Sequence, residues 1–379
     1  MKKILVVIGT RPEAIKMAPL IKELRRTSDR FEVMICSTGQ HRKMLDQVFS
    51  LFEITPDYDL DIMAPGQDLF DISSKVLVGI KKIIGLTNPD LILVHGDTTS
   101  AFTAALGGFY SRIPVGHIEA GLRSHNLNSP FPEELNRQMI SKIAKWHFAP
   151  SDQAMKNLIL ENISQDRVFN TGNTVIDALR CTLELIDKDP AIQEEVRADL
   201  CEALDFSWEK DQFVLITGHR RENFGKGFLE ICTAIKSLAI EFPQFKFVYP
   251  VHLNPNVRSP ISKLLSSIDN IYLIEPLEYR AFITLLKRCH FVLTDSGGIQ
   301  EEAPFLGKPV LVMRDITERE EAIVAGTAIL TGANAEQIVI AARDLIQTKE
   351  NYLKMSSAHN PYGDGYASAA IVKILERVL

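Results

Sequence analysis

The sequence predicts an α/β protein built from two parallel-sheet domains. Three observations predict it. Short apolar runs alternate with helical patterns along the whole chain. Most of those runs lack the in-out alternation of a half-solvated strand, as expected of parallel strands buried on both faces. The length of 379 residues exceeds what one ordinary core accommodates.

The strand candidates fall into two series. The first is Ile4–Ile8, Glu32–Cys36, Leu91–Val94, Val115–Ile118, Trp146–Ala149 and Val168–Asn170. The second is Phe213–Ile216, Phe245–Tyr249, Ile271–Ile274, Phe291–Leu293 and Val310–Met313. Helical patterns between successive strands imply right-handed βαβ units, so each series reads as a Rossmann-like domain. Between the series, residues 177–210 are helical and charged, broken at Asp187-Lys-Asp-Pro190. That stretch reads as the crossing between the domains. The first domain is expected over 1–176 and the second over 177–364. A last helix over 365–379, with Ala367, Ile371, Ile374 and Leu375 as its apolar stripe, is expected to cross back onto the first. Ligands of open α/β sheets bind beyond the carboxyl ends of the strands, and two such domains face a cleft.

Composition excludes several classes. An apolar share of 46% and a charged share of 24% suit a soluble globular chain. The net charge of −6 gives no attraction to nucleic acid or anionic lipid. No run reaches the roughly 18–20 apolar residues of a membrane span. The apolar run after Lys2-Lys3 ends at Gly9 and is too short for a secretory signal, so it reads as a first strand. The five cysteines are scattered and form no C-x-x-C pair, which implies neither a disulfide framework nor a zinc ribbon and fits a reducing cytoplasm.

The informative residues follow the strands. After the first comes Gly9-Thr10-Arg11-Pro12-Glu13, in which Thr10 and Glu13 form a capping box. Arg11 and Lys16 remain, two cations in the first turns of a helix where the dipole disfavours them. Beside a glycine turn they suit a bound diphosphate. His95-Gly96-Asp97-Thr98 follows the third strand, and its spacing leaves Asp97 open between a helix N-cap and a functional carboxylate. In His117-Ile-Glu119-Ala-Gly121-Leu-Arg123, Glu119 sits just past a buried strand, where a carboxylate is either functional or paired with Arg123. Ser129-Pro-Phe-Pro-Glu133-Glu134 opens a helix expected to turn Leu135, Met139 and Ile143 inward. Its glutamates fit plain first-turn residues as well as functional ones. Asp97, Glu119 and Glu133, converging on one cleft, would be candidates for proton transfer.

In the second domain, Thr217-Gly-His219-Arg-Arg-Glu-Asn223 places a histidine and two arginines after a strand, favouring anion binding or acid catalysis by His219. Pro250-Val-His252-Leu-Asn254 reads equally as turn chemistry. The sharpest signal is Thr294-Asp-Ser296-Gly297-Gly298-Ile-Gln-Glu301-Glu302: a strand ends and a helix opens at small residues that let backbone N–H groups approach a phosphate. Glu302 lies one turn in. The chain contains no G-x-G-x-x-G after its first strand, no Walker loop, no H-E-x-x-H and no G-x-S-x-G. Asp57-Tyr-Asp59 matches a metal-binding D-x-D in sequence but lacks the preceding strand that motif needs.

Several ungapped strings resemble one family. Gly9 to Leu20, His95-Gly-Asp-Thr-Thr, Gly116 to Arg123, Gly172-Asn-Thr-Val-Ile-Asp177, His219-Arg-Arg-Glu-Asn223 and Thr294 to Pro304 are similar to the non-hydrolysing UDP-N-acetylglucosamine 2-epimerases, and the likeness runs from Gly9 to about Thr327. The resemblance implies a GT-B-like pair of domains, a homodimer, a UDP-sugar substrate and no metal or redox cofactor. It points to Arg11, Lys16, Asp97, Glu119, Glu133 and His219 around the sugar and diphosphate. It points to Phe282, Ser296, Gly297, Gly298, Glu302 and Arg319 around the nucleotide. Glu320 departs from the proline usual there, Leu277 from a common glutamine, and Lys43 from a glutamine of the regulatory segment near Gln40-His41.

The resemblance further implies a reaction. UDP would be eliminated to leave a 2-acetamidoglucal, then re-added with the C2 proton returned to the opposite face. Hydrolytic epimerisation, glycosyl transfer from a GT-B scaffold, and binding without turnover are the rival functions.

Overall fold

The structure is a computed structural model. It describes all of residues 1–39, 45–64, 66–218, 220, 223–251 and 258–379, and the backbone of 42–44 and 255–257. The chain divides into two compact units, Met1–Ala178 with Tyr362–Leu379, and Leu179–Pro361.

In the first unit β1 (Lys2–Ile8), α1 (Arg11–Arg26), β2 (Phe31–Ser37), α2 (Arg42–Leu51), β3 (Tyr58–Asp59), α3 (Leu69–Thr87), β4 (Leu91–His95), α4 (Thr99–Tyr110) and β5 (Val115–Ile118) alternate in order. They are followed by α5 (Glu133–Ile143), β6 (Trp146–Ala149), α6 (Asp152–Leu160), β7 (Val168–Asn170) and α7 (Thr174–Lys188). The strands form one parallel sheet in the order β3-β2-β1-β4-β5-β6-β7. The order reverses between β1 and β4, which pair in parallel from Ile4↔Leu91 to Val6↔Leu93. A doubly wound sheet opens its ligand crevice at such a reversal, because the loops leaving the two strands diverge to opposite faces.

In the second unit α8 (Pro190–Ala203) precedes β8 (Phe213–Thr217), α9 (Lys226–Glu241), β9 (Lys246–Pro250), α10 (Pro255–Leu265), β10 (Ile271–Ile274), α11 (Tyr279–Arg288) and β11 (Val292–Thr294). Then come α12 (Ile299–Phe305), β12 (Val310–Val312), α13 (Glu320–Val324), β13 (Ala328–Leu330), α14 (Ala335–Gln347) and α15 (Lys349–Ser356). Their parallel sheet runs β10-β9-β8-β11-β12-β13, reversing between β8 and β11. The break between α7 and α8 falls at Asp189, whose side chain accepts from the Ala191 amide at 2.9 Å, with Pro190 opening α8.

The last helix, α16 (Ala367–Val378), belongs to the first unit and packs on α1. Its first amides are capped from a distance. Asp177 on α7 accepts from Ala367 N at 3.0 Å and Ser368 N at 2.7 Å. Its buried face is Ala367, Ser368, Ile371, Val372 and Leu375; Ile374 is only half-buried, so the stripe is turned from the expected one.

Two further expectations are corrected. The edge strands β3 and β13 escaped the apolar-run criterion because they are only two and three residues long, and Ile329 and Leu330 of β13 are exposed. Asp57-Tyr-Asp59 therefore lies at and within a strand, with its carboxylates used on backbone: Asp57 accepts from Ile35 N at 2.8 Å and Asp59 from Asp61 N at 2.9 Å. The second correction concerns α5. Leu135 and Met139 are exposed, whereas Glu134, Asn136, Arg137, Ile140 and Ser141 are buried. The polar side faces inward because it has charged partners there, described below. Among the described residues no helix is long and apolar enough to cross a membrane.

The turn after β5 is packed without slack. Gly121 has φ +93°, and a Cβ there would lie 2.2 Å from the Ala154 carbonyl oxygen of α6. Gly121→Ala is expected to cost about 2–4 kcal/mol of stability, read as a lower urea midpoint than wild type.

Candidate functional site

The first unit gathers polar groups at the β1/β4 reversal. Thr10 caps α1, and Glu13 closes the box: its Oε2 accepts from Gly9 N at 3.0 Å and Thr10 N at 2.6 Å. Its Oε1 accepts from the Thr98 hydroxyl at 2.8 Å, tying the turn after β1 to the turn after β4. Glu13 is thus structural, as the capping-box reading holds. Burial pushes its carboxyl up to about 7, against hydrogen bonds that lower it.

The turn after β4 is fixed by β5. Gly96 N donates to Ile118 O at 2.9 Å, and the His117 ring Nε2 lies 2.7 Å from Gly96 O. A carbonyl only accepts, so His117 carries its proton on Nε2. Burial holds this imidazole down to about 3, so it stays neutral. Asp97 follows, half-buried. It is not the N-cap of α4: Thr98 is, accepting from Ala101 N at 3.0 Å. The Asp97 carboxylate is instead paired with Arg137 of α5, and its carbonyl accepts from Asn136 Nδ2 at 2.9 Å.

Glu119 stands just past β5 with its backbone in the left-handed region, φ +62°. A non-glycine residue held there costs on the order of 1 kcal/mol and marks a position set by its surroundings. Its side chain is 7% exposed. The carboxylate pairs with Lys16, accepts from Asn173 Nδ2 at 2.9 Å, and has His95 Nε2 at 3.9 Å. It also lies over Gly96, where a Cβ would be 3.5 Å away. Arg123 is not its partner: the guanidinium grips Glu161 at 2.6 and 2.9 Å and donates to Ser141 Oγ at 2.9 Å.

Glu133 is half-buried as the first residue of α5. Arg137, one turn on, joins that helix to Asp97 and also lies 3.3 Å from the buried Glu134. Glu134 in turn accepts from Ser124 N at 2.9 Å. The first unit therefore pairs Lys16 with Glu119 after β5 and, separately, holds Asp97 after β4 to Arg137, one helical turn past Glu133 on α5. Arg11 sits half-buried at the start of α1.

The second unit gathers its groups at the β8/β11 reversal. Thr217 and Thr294 hydroxyls meet at 2.6 Å across the two strand ends. Asp295 is fully buried and accepts from Arg220 N at 2.8 Å and Asn223 Nδ2 at 3.2 Å, while Tyr249 Oη donates to Gly218 O at 3.0 Å. His219 lies outside the described residues, as do His252, Asn254 and the Gln40-His41 segment.

Ser296, Gly297 and Gly298 form the turn into α12. Arg319 lies directly on it, since a Cβ on Gly297 would be 2.8 Å from its Nη1. The guanidinium is buried, donates to Glu301 at 2.8 Å, and pairs with Glu318, which also holds Arg314 at 2.9 Å. Glu320 opens α13 immediately after Arg319. Glu302, also buried, accepts from Tyr279 Oη at 2.7 Å. Phe282 is half-buried one turn beyond Tyr279 on α11.

Sequence reasoning missed Arg137, Asn136, Asn173, His95 and Tyr279 as partners. Asn173 lay in a quoted string, and Arg137 stands one helical turn after Glu133, which was the available signal.

Comparison with known proteins follows the same lines. The family model described as UDP-N-acetylglucosamine 2-epimerase matches residues 22–376. The UDP-N-acetylglucosamine 2-epimerase of Yersinia pestis is 53% identical over 99% of this chain and 98% of that one. That of Campylobacter jejuni is 52% identical over 99% and 97%. The crystal structure of the Neisseria meningitidis UDP-GlcNAc 2-epimerase bound to UDP-GlcNAc has a TM-score of 0.94 at 51% identity, covering 99% of this chain and 100% of that one.

Glu13 carries a pH dependence. Its folded value lies above the ordinary 4.5, so its stabilising contribution is complete below about pH 4.5 and is lost as pH rises through about 7. Wild type is expected to lose roughly 3 kcal/mol across that window through this group. Glu13→Gln, which mimics the neutral acid, should flatten that part of the urea-midpoint profile.

Two likenesses, one in sequence over nearly the whole length and one in fold, agree with the strand-end geometry: the chain belongs to the UDP-N-acetylglucosamine 2-epimerase family.

Proposed function

We propose that this chain reversibly converts UDP-N-acetylglucosamine to UDP-N-acetylmannosamine, acting in the cytoplasm without a metal or redox cofactor. The observation that carries the reading is Glu119: a buried carboxylate in left-handed backbone, set against Lys16 and His95, in a chain of this family.

The C2 hydrogen of the sugar is not acidic. It becomes removable as the anomeric C–O bond breaks and the ring gains positive character. In the proposed path a carboxylate takes the C2 proton, the C1–O electrons leave with UDP, and the glycal keeps a C1–C2 double bond. UDP then re-adds at C1 while a proton reaches C2 from the other face. The path needs acid–base groups on two faces, for which Asp97, Glu119 and Glu133 are the candidates. It needs stabilisation of the departing diphosphate, for which Arg11, Lys16 and His219 are the candidates with the Ser296–Gly298 backbone. Phe282 and Glu302 would hold base and ribose, and Arg319 would brace the glycine turn. The reaction is redox-neutral, so protonation and charge stabilisation suffice.

We propose two chain segments for these roles, 1–176 with 365–379 for the acid–base groups and 177–364 for the nucleotide. A homodimer, as the resemblance implies, would cover the apolar surface that Phe109, Tyr110, Leu135 and Met139 leave exposed on α4 and α5.

Proton NMR of UDP-N-acetylglucosamine with the enzyme in D2O tests the reading. Growth of UDP-N-acetylmannosamine with deuterium at C2 and no net release of UDP is expected. Accumulation of UDP with free N-acetylmannosamine would make the enzyme hydrolytic, and a persistent C2 proton would remove the epimerase reading. By calorimetry, Glu302→Ala should weaken UDP binding about ten-fold or more, the loss of a hydrogen-bonded charged group.

A further inference from the structure

The string Gly172-Asn-Thr-Val-Ile-Asp177 has no part in the chemistry above, yet it contacts the candidate base. Asn173 is 2% exposed and its amide is used at both ends. Nδ2 donates to Glu119 Oε2 at 2.9 Å, and Oδ1 accepts from Val175 N at 3.1 Å, which orients the amide so that only its NH2 can face the carboxylate. Its backbone is held from the far end of the chain: Asn173 N donates to Tyr362 O at 2.8 Å. The strands of chain meet closely there. Gly172 has φ +80°, a Cβ on it would lie 3.2 Å from Tyr362 O, and a Cβ on Gly363 would lie 3.2 Å from the Gly172 Cα. Asp177, one turn further, caps the returning helix through Ala367 N and Ser368 N.

We propose that Asn173 is a positioning residue for Glu119, and that the returning segment Tyr362–Ser368 holds Asn173 in place. Facing Glu119 are the Lys16 ammonium from α1 and the His95 ring from β4, with Asn173 as a neutral donor from the loop before α7. A neutral donor orients the carboxylate and leaves it able to take a proton. A second cation would bind it more tightly, and a second carboxylate would compete for the same proton. The C-terminal helix thereby serves the acid–base site from more than 180 residues away in sequence.

The inference rests on Glu119 acting in the proposed proton transfer, and the test separates the two. C2 proton exchange in D2O is followed against pH for wild type, Asn173→Ala and Asn173→Asp, with UDP affinity and thermal midpoint measured on each. Asn173→Asp keeps the volume and the oxygen that accepts from Val175 N, so it reports even if the alanine variant folds poorly. Asn173→Ala is expected to lower exchange about 10–100-fold with UDP affinity unchanged, the loss of one hydrogen bond to a charged group. Asn173→Asp is expected to move the acid limb of the rate profile up by about one pH unit, because a like charge now faces Glu119. Gly172→Ala, which crowds the Tyr362 contact, should lower exchange in the same direction with UDP affinity kept. If wild type exchanges C2 but Asn173→Asp keeps the wild-type limb, or Gly172→Ala keeps the wild-type rate, the inference is overturned. If wild type itself does not exchange C2, it is the proposed function that fails.

Discussion

A carboxylate buried at the end of a parallel strand is expensive, and the first unit is organised around making Glu119 tolerable there. Stripping water from an ion costs several kcal/mol unless opposite charge and hydrogen bonds replace it. Lys16 supplies the charge from α1, Asn173 the hydrogen bond from the loop before α7, and His95 lies just beyond bonding distance on β4. Those three come from segments far apart in sequence: the β1/β4 reversal brings Lys16 to His95, and the loop after β7 brings in Asn173. The left-handed backbone at Glu119 is the local cost of aiming the side chain back over Gly96. Removing Lys16 would leave the Glu119 carboxylate without that counter-charge, while the Asn173 hydrogen bond remains.

The second unit solves a different problem. Around the Ser296–Gly298 turn the charges cancel among themselves: Arg314 and Arg319 against Glu301 and Glu318, all buried. Such a cluster fixes geometry more than it attracts an anion. It lays Arg319 against Gly297, where an added Cβ would lie 2.8 Å from its Nη1. The first unit thus offsets one buried carboxylate, and the second closes a buried charge cluster on itself.

What was legible in the sequence was the two-sheet fold and the family, more than the partners of individual side chains. Strand ends were visible as apolar runs stopping at Gly9, His95, Glu119 and Thr294, and the long ungapped strings identified the family. Partners were not visible, because pairing depends on which loops the sheet order brings together. Arg123, four residues on, was the alternative partner for Glu119, yet its guanidinium goes to Glu161. The inner face of α5 was misjudged because apolar periodicity normally marks burial. There the interior is polar, with Arg137 and Glu134 facing in and Leu135 and Met139 facing out. Rules of hydrophobic patterning fail where a helix buries an ion-paired face. The edge strands were lost for the opposite reason, having too little to bury.

Glu119→Gln tests the account most directly, because it keeps the shape of the side chain and removes only its charge and basicity. UDP-N-acetylglucosamine binding by equilibrium dialysis and C2 proton exchange in D2O are measured on the same preparation. The account predicts binding within a few-fold of wild type and exchange slowed by about 10²–10⁴-fold, the usual worth of a positioned proton-transfer group. Exchange at the wild-type rate in that variant would contradict it, and would leave the burial of Glu119 as packing alone.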